Sequence, residues 1–391
     1  MLNKSNRKNK YVLSLFILAF FLIGFQPDIK AEEGIVLTKE NAMTMFENQS
    51  YEIKKINYQN ELFFISYENL EEDVDDKYNE MIDSEEELSD TSKNDSDYDE
   101  IKSDYINDVT KYVSTKKTFE KNAYEKENKN KTNKTIIDEK LLEFEKQLYD
   151  YEISKQLLYI QEKNLKMSEA ELNEVKKKYD KGLVSYNDYL VQKYNYDKEV
   201  LNYESSVNEL KMLNNELKIK LMYDVEDEVE FNIELPDKVF EDSLSGDYIL
   251  SLYQKNNYEY LNKIKEIDIE NQALDIINEY IEEDSDDYKT YYINYQIKQI
   301  ENNEWIDKNN NRIISDYYTL LQLKADYETK DLDYKKEKDT LTQQNKLYEN
   351  NLISLNELNE KILNSEKVSL DLKKTIVNIN YNLNKLLLEI D

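Results

Sequence analysis

Two long stretches of this chain carry apolar residues at every seventh position without a gap, and this spacing limits the possible fold more than any other feature. The first series is Phe144, Tyr151, Leu158, Leu165, Leu172 and Tyr179, and the second is Ile313, Leu320, Tyr327, Tyr334, Leu341 and Tyr348. Similar series follow, from Tyr189 to Leu217 and from Leu355 to Ile390. A seven-residue apolar repeat is the a and d pattern of a coiled coil. Four helical arms in a rod-shaped protein are therefore predicted.

The same short sequence separates the two arms of each pair. It occurs as Tyr179-Asp-Lys-Gly-Leu-Val-Ser-Tyr-Asn-Asp188 and again as Tyr348-Glu-Asn-Asn-Leu-Ile-Ser-Leu-Asn-Glu357. Gly182 can adopt the left-handed conformation that ends a helix, and Asn351 at the matching place is the next most tolerant residue. Each pair of arms is therefore predicted to form a hairpin.

The end of each hairpin combines a helix-starting serine with exposed apolar residues. Ser185 and Ser354 are each followed three residues later by an acid, which is the spacing of a capping box. The residues before each serine are apolar: Leu183 and Val184 at the first tip, Leu352 and Ile353 at the second. An apolar residue at the end of a polar rod either packs locally or binds a partner. The predicted partner-binding residues are Gly182, Leu183, Val184, Ser185, Asn351, Leu352, Ile353 and Ser354.

The composition excludes most catalytic chemistry. The chain has no histidine and no cysteine, so it lacks the commonest general base, thiolate nucleophiles and the usual zinc ligands. Four glycines in the whole chain are too few for a phosphate-binding loop. With 83 acidic residues, close carboxylate pairs are expected to be solvated surface. No enzyme activity, metal or cofactor is predicted, and the formal net charge of −31 argues against nucleic acid as a partner.

Residues 1–31 have the pattern of a cleaved signal peptide. Basic residues precede an apolar run from Tyr11 to Phe25, and Lys30-Ala31 stands at the exit. The run is shorter than the roughly 20 residues of a membrane-spanning helix, although an uncleaved anchor is the alternative. The chain is therefore predicted to be exported.

The segment between the opening helix and the first arm changes in character. Residues 36–66 have an amphipathic pattern that starts at Thr38. Residues 68–100 form an acidic low-complexity insertion that is predicted to be disordered or solvating. Its Asp95-Ser-Asp-Tyr-Asp99 run lacks the glycine and distal glutamate of a calcium-binding loop. Helical patterning then resumes and is interrupted by the polar residues 127–135.

The second half of the chain opens as the first does. Leu252 to Glu259 matches Met45 to Glu52, and the matching tips follow in both halves. The predicted divisions are a signal peptide at 1–31, a first helical repeat at 32–235 and a second at 236–391. In the second half, residues 288–297 fit either a strand or a helix, and the helix is favoured. The predicted fold class is all-α, two duplicated long antiparallel coiled-coil hairpins with little or no β-structure.

This plan resembles the TolC family of outer-membrane efflux proteins. The resemblance rests on the Tyr-x-x-Gly-Leu-x-Ser-x-x-Asp tip ending at Asp188, its second version ending at Glu357, and the opening Leu37-Thr-x-Glu40-x-Ala42. It implies a homotrimer whose hairpins assemble into a hollow helical barrel. It also implies that the tips contact a membrane-fusion or adaptor protein, which works with an energised pump in the inner or cytoplasmic membrane.

The sequence departs from the family pattern in two places. A glycine that family members have after the first outbound arm is replaced around Tyr223. Family members also set membrane β-strands into each connector, and residues 68–100 are too highly charged to supply them. The resemblance implies an outer-membrane or periplasmic location, and a secreted or cell-surface location follows where the envelope has no outer membrane.

The predicted function is that of an exported TolC-like efflux or secretion duct, a passive conduit that works with an adaptor and a pump. The alternative is a secreted coiled-coil structural or adhesive protein of the cell envelope. The heptad seams fit both functions, whereas the two tips and the repeated opening helix favour the duct.

Overall fold

The computed structural model describes residues 35–239 and 245–390, so the predicted signal peptide lies outside the described residues. Nine helices and two short strands occur in these ranges. The first half contains β1 (Ile35–Thr38), α1 (Lys39–Gln49), α2 (Tyr51–Glu68), α3 (Leu70–Asp90), α4 (Tyr98–Asp180) and α5 (Tyr186–Lys220). The joint between the halves contains β2 (Val229–Asn232). The second half contains α6 (Gly246–Asn256), α7 (Tyr258–Tyr280), α8 (Asp286–Glu349) and α9 (Leu355–Ile390). The predicted all-α fold class is confirmed.

Two helices set the length of the molecule. Helix α4 has 83 residues and α8 has 64, which correspond to about 125 Å and about 96 Å at 1.5 Å per residue. Residues 288–297 lie inside α8, so the prediction of a helix there is confirmed. Over the described residues, no helix combines the length and the apolar content needed to cross a membrane.

Each half begins with a short helix that stops and restarts at a capping side chain. Helices α1 and α6 both have 11 residues. Ser50 accepts a hydrogen bond from the N–H of Ile53 and thereby starts α2, and Asn257 accepts one from Tyr260 and starts α7. Serine and asparagine are among the preferred residues for this position because their side-chain oxygens satisfy a free N–H at a helix start.

Four helices form a single layer in the half of the molecule that ends at the predicted tips, called the proximal half here. Their order is α5, α4, α9, α8. Gln192 on α5 donates to Glu171 on α4 at 2.9 Å, and Lys163 on α4 pairs with Glu366 on α9 at 2.8 Å. The α8–α9 pair contains the Lys330–Asp371 ion pair at 3.1 Å. Helices α5 and α8 therefore form the two edges of the layer.

The layer continues with four rods in the other half, called the distal half. Helices α2 and α3 follow one another along α4, α7 packs on the other side of α4, and α8 packs on α7. Lys117 on α4 pairs with Glu270 on α7 at 2.6 Å, and Tyr295 on α8 donates to Asn271 on α7 at 2.6 Å. The start of α7 lies next to the end of α9. Asn257, the residue before α7, donates to the carbonyl of Glu389 at 3.1 Å.

The largest core lies at the middle of the layer, where the two strands join it. Phe46 of α1 and Phe144 of α4 are fully buried and stack with ring centroids 4.2 Å apart. Strands β1 and β2 pair in parallel, with Ile35 opposite Val229, and Phe231 is fully buried against the same cluster. The strands thus hold the start of the chain against the joint between its two halves.

Of the two alternatives predicted for residues 68–100, disordered or solvating, disorder is wrong for residues 70–90. Residues 70–90 form α3, which carries eleven acids and one lysine. Its acids are exposed, but Met81 is fully buried in a cluster that includes Val109 of α4 and Ile277 of α7. A helix with one apolar face can be ordered by packing that face on neighbouring helices, even where the rest of its surface is acidic.

The predicted interruption at residues 127–135 is also wrong, because α4 runs through it without a break. The lysines around this polar stretch pack on aromatic rings of α2. Lys126 lies 4.0 Å from the ring centre of Tyr67, and Lys129 lies 4.4 Å from that of Phe63. The stretch contains no proline or glycine, so nothing in its backbone opposes a continuous helix.

Candidate partner-docking tips and assembly edges

The first predicted tip is a helix end closed by a left-handed glycine. Gly182 has φ +71°. Its N–H donates to the carbonyl of Tyr179 at 2.8 Å, and the N–H of Leu183 donates to the carbonyl of Lys178 at 2.9 Å. This pair of hydrogen bonds is the Schellman motif, which satisfies carbonyls that would otherwise be free at the end of α4.

The second tip has the same construction with a different residue at its centre. Asn351 has φ +58°, and its N–H donates to the carbonyl of Tyr348 at 2.9 Å. The N–H of Leu352 donates to the carbonyl of Leu347 at 2.9 Å. Asparagine takes the left-handed conformation more readily than other side-chain-bearing residues do, so it can stand in for glycine here.

Both tips restart the chain with a capping box. Ser185 Oγ accepts from the N–H of Asp188 at 3.2 Å, and the Asp188 carboxylate accepts from the N–H of Ser185 at 3.0 Å. Ser354 and Glu357 exchange the same two hydrogen bonds at 3.2 and 2.7 Å. The Ser185 hydroxyl also donates to the Asp188 carboxylate at 2.7 Å. Hydrogen bonds to the carboxylates lower the pKa of Asp188, mainly through the Ser185 hydroxyl, and that of Glu357, mainly through the Ser354 N–H.

The eight predicted site residues thus lie in two turns of matching geometry. Leu183 is 70% exposed and Leu352 is 68% exposed, whereas Val184 and Ile353 are half-buried. Lys163 on α4 and Glu366 on α9 form an ion pair, and each lies a similar number of residues from the turn at the end of its own helix. The two tips are therefore level with each other to within about one helical turn.

An aromatic cluster at the first tip was not predicted from the sequence. The ring of Tyr179 lies 5.8 Å from that of Tyr186 and 5.6 Å from that of Tyr189. The second tip has a tyrosine only at the first of these places, Tyr348. The available signal was the presence of tyrosines on both sides of one turn, close enough to meet when the turn closes.

The two edges of the proximal layer carry exposed apolar side chains that the seven-residue repeat did not predict. On α5 they lie on the side opposite α4, and on α8 they lie mainly on the side opposite α9. Leu201 is 66% exposed and Leu332 is 67% exposed. The α5 group is Tyr194, Leu201, Met212 and Ile219, and the α8 group is Tyr318, Leu321 and Leu332. The sequence signal for these edges is a second seven-residue spacing of apolar residues, such as that between Tyr194 and Leu201.

The apolar residues of the two edges stand at matching heights. The heights follow from counting along the antiparallel helices, starting from the hydrogen-bonded or paired residues that join α5 to α4, α4 to α9 and α9 to α8. Leu201 on α5 is then level with Leu332 on α8, and Met212 is level with Leu321, each to within about one turn. A second copy placed beside the first, in the same orientation, would bring these pairs together.

A charged cleft of about 220 Å³ lies where α4, α7, α8 and α9 meet. Arg312 on α8 donates two hydrogen bonds to the Glu389 carboxylate of α9, at 2.9 and 2.5 Å. Burial raises the pKa of Glu139 on α4, and the neighbouring Glu389 carboxylate contributes in the same direction. The paired arginine and glutamate tie the end of α9 to α8, so this cluster has a structural role. Among the residues that the structure describes, no group of acids is placed to hold a metal ion.

No protein-family model matches the sequence, and no curated protein matches it. Several solved structures are similar in fold at about 10% sequence identity. The CmeC outer membrane channel of Campylobacter jejuni has a TM-score of 0.49, and the match covers 72% of this chain and 66% of that one, slightly under two thirds. CusC has a TM-score of 0.47 with 90% of both chains covered, and the outer membrane protein VceC of Vibrio cholerae has 0.46 with 90% and 94% covered. These three are TolC-family outer membrane channels, the group that the sequence resembles.

Proposed function

We propose that this chain is an exported, TolC-like duct component of efflux or secretion, which assembles as a homotrimer and conducts substrate passively. The observation that carries the proposal is the four-rod layer with an apolar stripe on each of its two edges. In one copy these stripes are exposed to water, and burying apolar surface is favourable by about 25 cal/mol per Å². The stripes therefore favour edge-to-edge association.

The placement of the stripes favours a closed ring over a twofold dimer. The α5 edge and the α8 edge are different surfaces, so their contact is head-to-tail and repeats from copy to copy. Three copies would supply twelve rods in the proximal half. With rods about 10 Å apart, twelve rods enclose a tube whose rod axes lie on a circle roughly 40 Å across. The number three comes from the family resemblance, and the head-to-tail geometry comes from the edges.

The tips supply the second part of the proposal, a docking end for an adaptor protein. Leu183 and Leu352 are held in the open by rigid turns, and the two tips of each copy are level with each other. Three copies would present six such leucines around one rim. An adaptor with an apolar helical hairpin fits this arrangement, and an energised pump in the inner or cytoplasmic membrane would drive transport. The chain would act in the cell envelope. It would consist of two helical repeats, at 32–235 and 236–391.

Light scattering on the purified chain tests the assembly. A trimer is expected, and Leu201→Asp combined with Leu332→Asp should give monomers of unchanged helicity because charges would have to be buried at the ring contacts. Val225→Asp is the matched control, since Val225 is an exposed apolar residue in the loop after α5. A wild-type monomer, or a trimer that survives both edge substitutions, would contradict the proposed ring.

The tips are tested with a purified adaptor protein of the producing cell. Leu183→Asp combined with Leu352→Asp should leave the trimer intact and lower adaptor binding at least tenfold, whereas Val225→Asp should not change it. Undiminished binding by the tip variant would show that the adaptor docks elsewhere.

The second candidate function is a secreted coiled-coil structural or adhesive protein of the cell envelope. One observation favours it: the a and d residues of each hairpin already pack within one copy, as shown by buried Phe144, Tyr151, Ile313 and Leu320. A stable monomer at all concentrations, with no binding to an adaptor, would support this function instead.

A further inference from the structure

A basic cleft of about 320 Å³ lies in the distal half, where α4, α7 and α8 run side by side. Because α7 stands between the other two helices, a cleft that all three line lies on a face of the layer and not at an edge. Four lysines and two acids line it: Lys117 and Lys121 on α4, Lys263, Glu266 and Glu270 on α7, and Lys298 on α8. The formal net charge of the chain is −31, so this cleft is locally opposite in charge to the protein as a whole.

The lysines of α4 belong to a basic stretch of the sequence. Residues 111–135 contain eight lysines and three acids, whereas the whole chain has 83 acids against 52 lysines and arginines. Lys117 and Lys121 are four residues apart, and residues at this spacing lie on the same side of a helix. Both side chains therefore reach the cleft from α4.

The two acids of the cleft are already bound by lysines. Glu270 pairs with Lys117 at 2.6 Å, and Glu266 pairs with Lys121 at 2.7 Å and with Lys263 at 2.5 Å. Burial opposes the ionisation of Glu266, but the hydrogen bonds from Lys121 and Lys263 lower its pKa, so it carries its charge at neutral pH. Two lysines thus share one carboxylate, and part of their positive charge remains uncompensated.

Two residues of α8 complete the cleft. Lys298 pairs with Glu301 of its own helix at 2.6 Å, and both side chains are more than half exposed. Exposed ion pairs of this kind are weak, so Lys298 remains able to bind another anion. Asn302 is only 5% exposed and lines the cleft. Among the residues described, none forms a hydrogen bond with its side-chain amide, and a buried amide without a partner favours a ligand that can bond to it.

From these observations we propose that the cleft binds a dianionic oxyanion, a phosphate or sulfate group. Four ammonium groups against two carboxylates leave its lining with a charge of +2, which a dianion would neutralise. The ammonium groups and the N–H groups of the Asn302 amide are donors, and the oxygens of one such anion accept from several donors at once. A metal cation would be repelled by the lysines. All of the lining residues belong to one copy of the chain, so the site does not depend on the proposed ring.

The anion has two possible sources, a free ion or a phosphate monoester at the end of a larger molecule. Isothermal titration calorimetry on the purified full chain distinguishes them, with inorganic phosphate and glycerol 3-phosphate as the probes at a pH where both are dianions. Saturable binding is the expected result, and the probe that binds more tightly identifies the source. Absence of saturable binding with both probes would overturn the proposal, and it would leave the ring untouched if the same chain still forms trimers.

Substitutions then locate the binding. Lys121→Gln combined with Lys298→Gln removes two positive charges and should weaken binding by at least about tenfold. Asn302→Asp keeps the shape of the side chain but places a carboxylate in the cleft, and it should abolish binding. The matched control is Lys308→Gln, because Lys308 is an exposed lysine of α8 that pairs with Glu304 of its own helix at 2.6 Å and does not line the cleft.

The control should bind the anion as the wild-type chain does, and circular dichroism should show the same helicity in every variant. If Asn302→Asp loses helicity, the double lysine variant decides the question alone. Binding of wild-type strength in the double lysine variant, or an equal loss of binding in Lys308→Gln, would refute the site.

Discussion

A substitution at Gly182 would measure the free-energy cost of the left-handed backbone conformation with little contribution from side-chain contacts. Gly182 closes the first tip at φ +71°, and a Cβ added there would meet no atom within 4 Å. Gly182→Ala therefore introduces no clash. An alanine in the left-handed region costs roughly 1–2 kcal/mol, whereas the loss of glycine's freedom in the unfolded chain returns about 0.4–1 kcal/mol. We expect the tip to be destabilised by about 1 kcal/mol.

Amide hydrogen exchange is the appropriate assay, because the effect is local to the end of a long hairpin. The N–H groups of residues 182 and 183 donate the two hydrogen bonds that close the tip. About 1 kcal/mol corresponds to roughly a fivefold change in an equilibrium constant. Exchange at these two amides should therefore accelerate about fivefold in Gly182→Ala, while amides in the middle of α4 keep their rates.

The matched control is at the second tip, where the two effects nearly cancel. Asn351 has φ +58° in the same motif, so Asn351→Gly removes the smaller strain of an asparagine there but adds glycine's freedom in the unfolded chain, and exchange at residues 351 and 352 should change by about twofold at most. If Gly182→Ala leaves the exchange at the first tip unchanged, the left-handed conformation does not determine the stability of the turn, and the explanation of both tips is wrong.

Three further predictions concern other parts of the fold. Met222 has φ +68° at the end of α5, so Met222→Gly should stabilise the chain by up to about 1 kcal/mol in urea unfolding. Phe144→Ala should cost about 3–5 kcal/mol in the same assay, because Phe144 is fully buried and stacks on Phe46. Asp188 and Glu357 have lowered pKa values in the fold, so their contribution is present above the unfolded pKa of about 4 and is lost as the pH falls through the folded value. Exchange at their own amides, corrected for intrinsic rates, should accelerate as the pH falls below 4.

The hairpins and their tips could be predicted from the sequence because the information is local. The seven-residue spacing requires no knowledge of neighbouring elements, and Gly182 and Ser185 identify a helix end and a helix start wherever they lie in a fold. The structure places both within a residue of the predicted positions. The sequence also indicates that the family's glycine after α5 is replaced, and Met222 adopts the left-handed conformation there with the same two hydrogen bonds.

The remaining features depend on distant parts of the chain. Composition predicted that residues 68–100 are disordered or solvating, because composition cannot show that Met81 joins a buried cluster with Val109 and Ile277. The edges were missed for the same reason. Leu201 and Leu332 are exposed and Leu320 is buried, although all three are leucines on long helices. Which of them is buried depends on which side of its helix packs on a neighbouring helix, and therefore on the order of the helices in the layer.

The two ends of the helical layer differ in chemistry, and this difference indicates how the proposed assembly is oriented toward its partner. The proximal tips expose Leu183 and Leu352, and in the proposed assembly these residues are the contact site for a protein partner. The distal turns at 91–97 and 281–285 contain no exposed large apolar residue among the described residues, and acids surround them. Carboxylates lose their hydration when a partner covers them, so an acidic rim favours continued contact with water. A protein partner with an apolar hairpin is therefore expected at the proximal end of the proposed assembly, and the distal rim would then be the open mouth of the proposed tube.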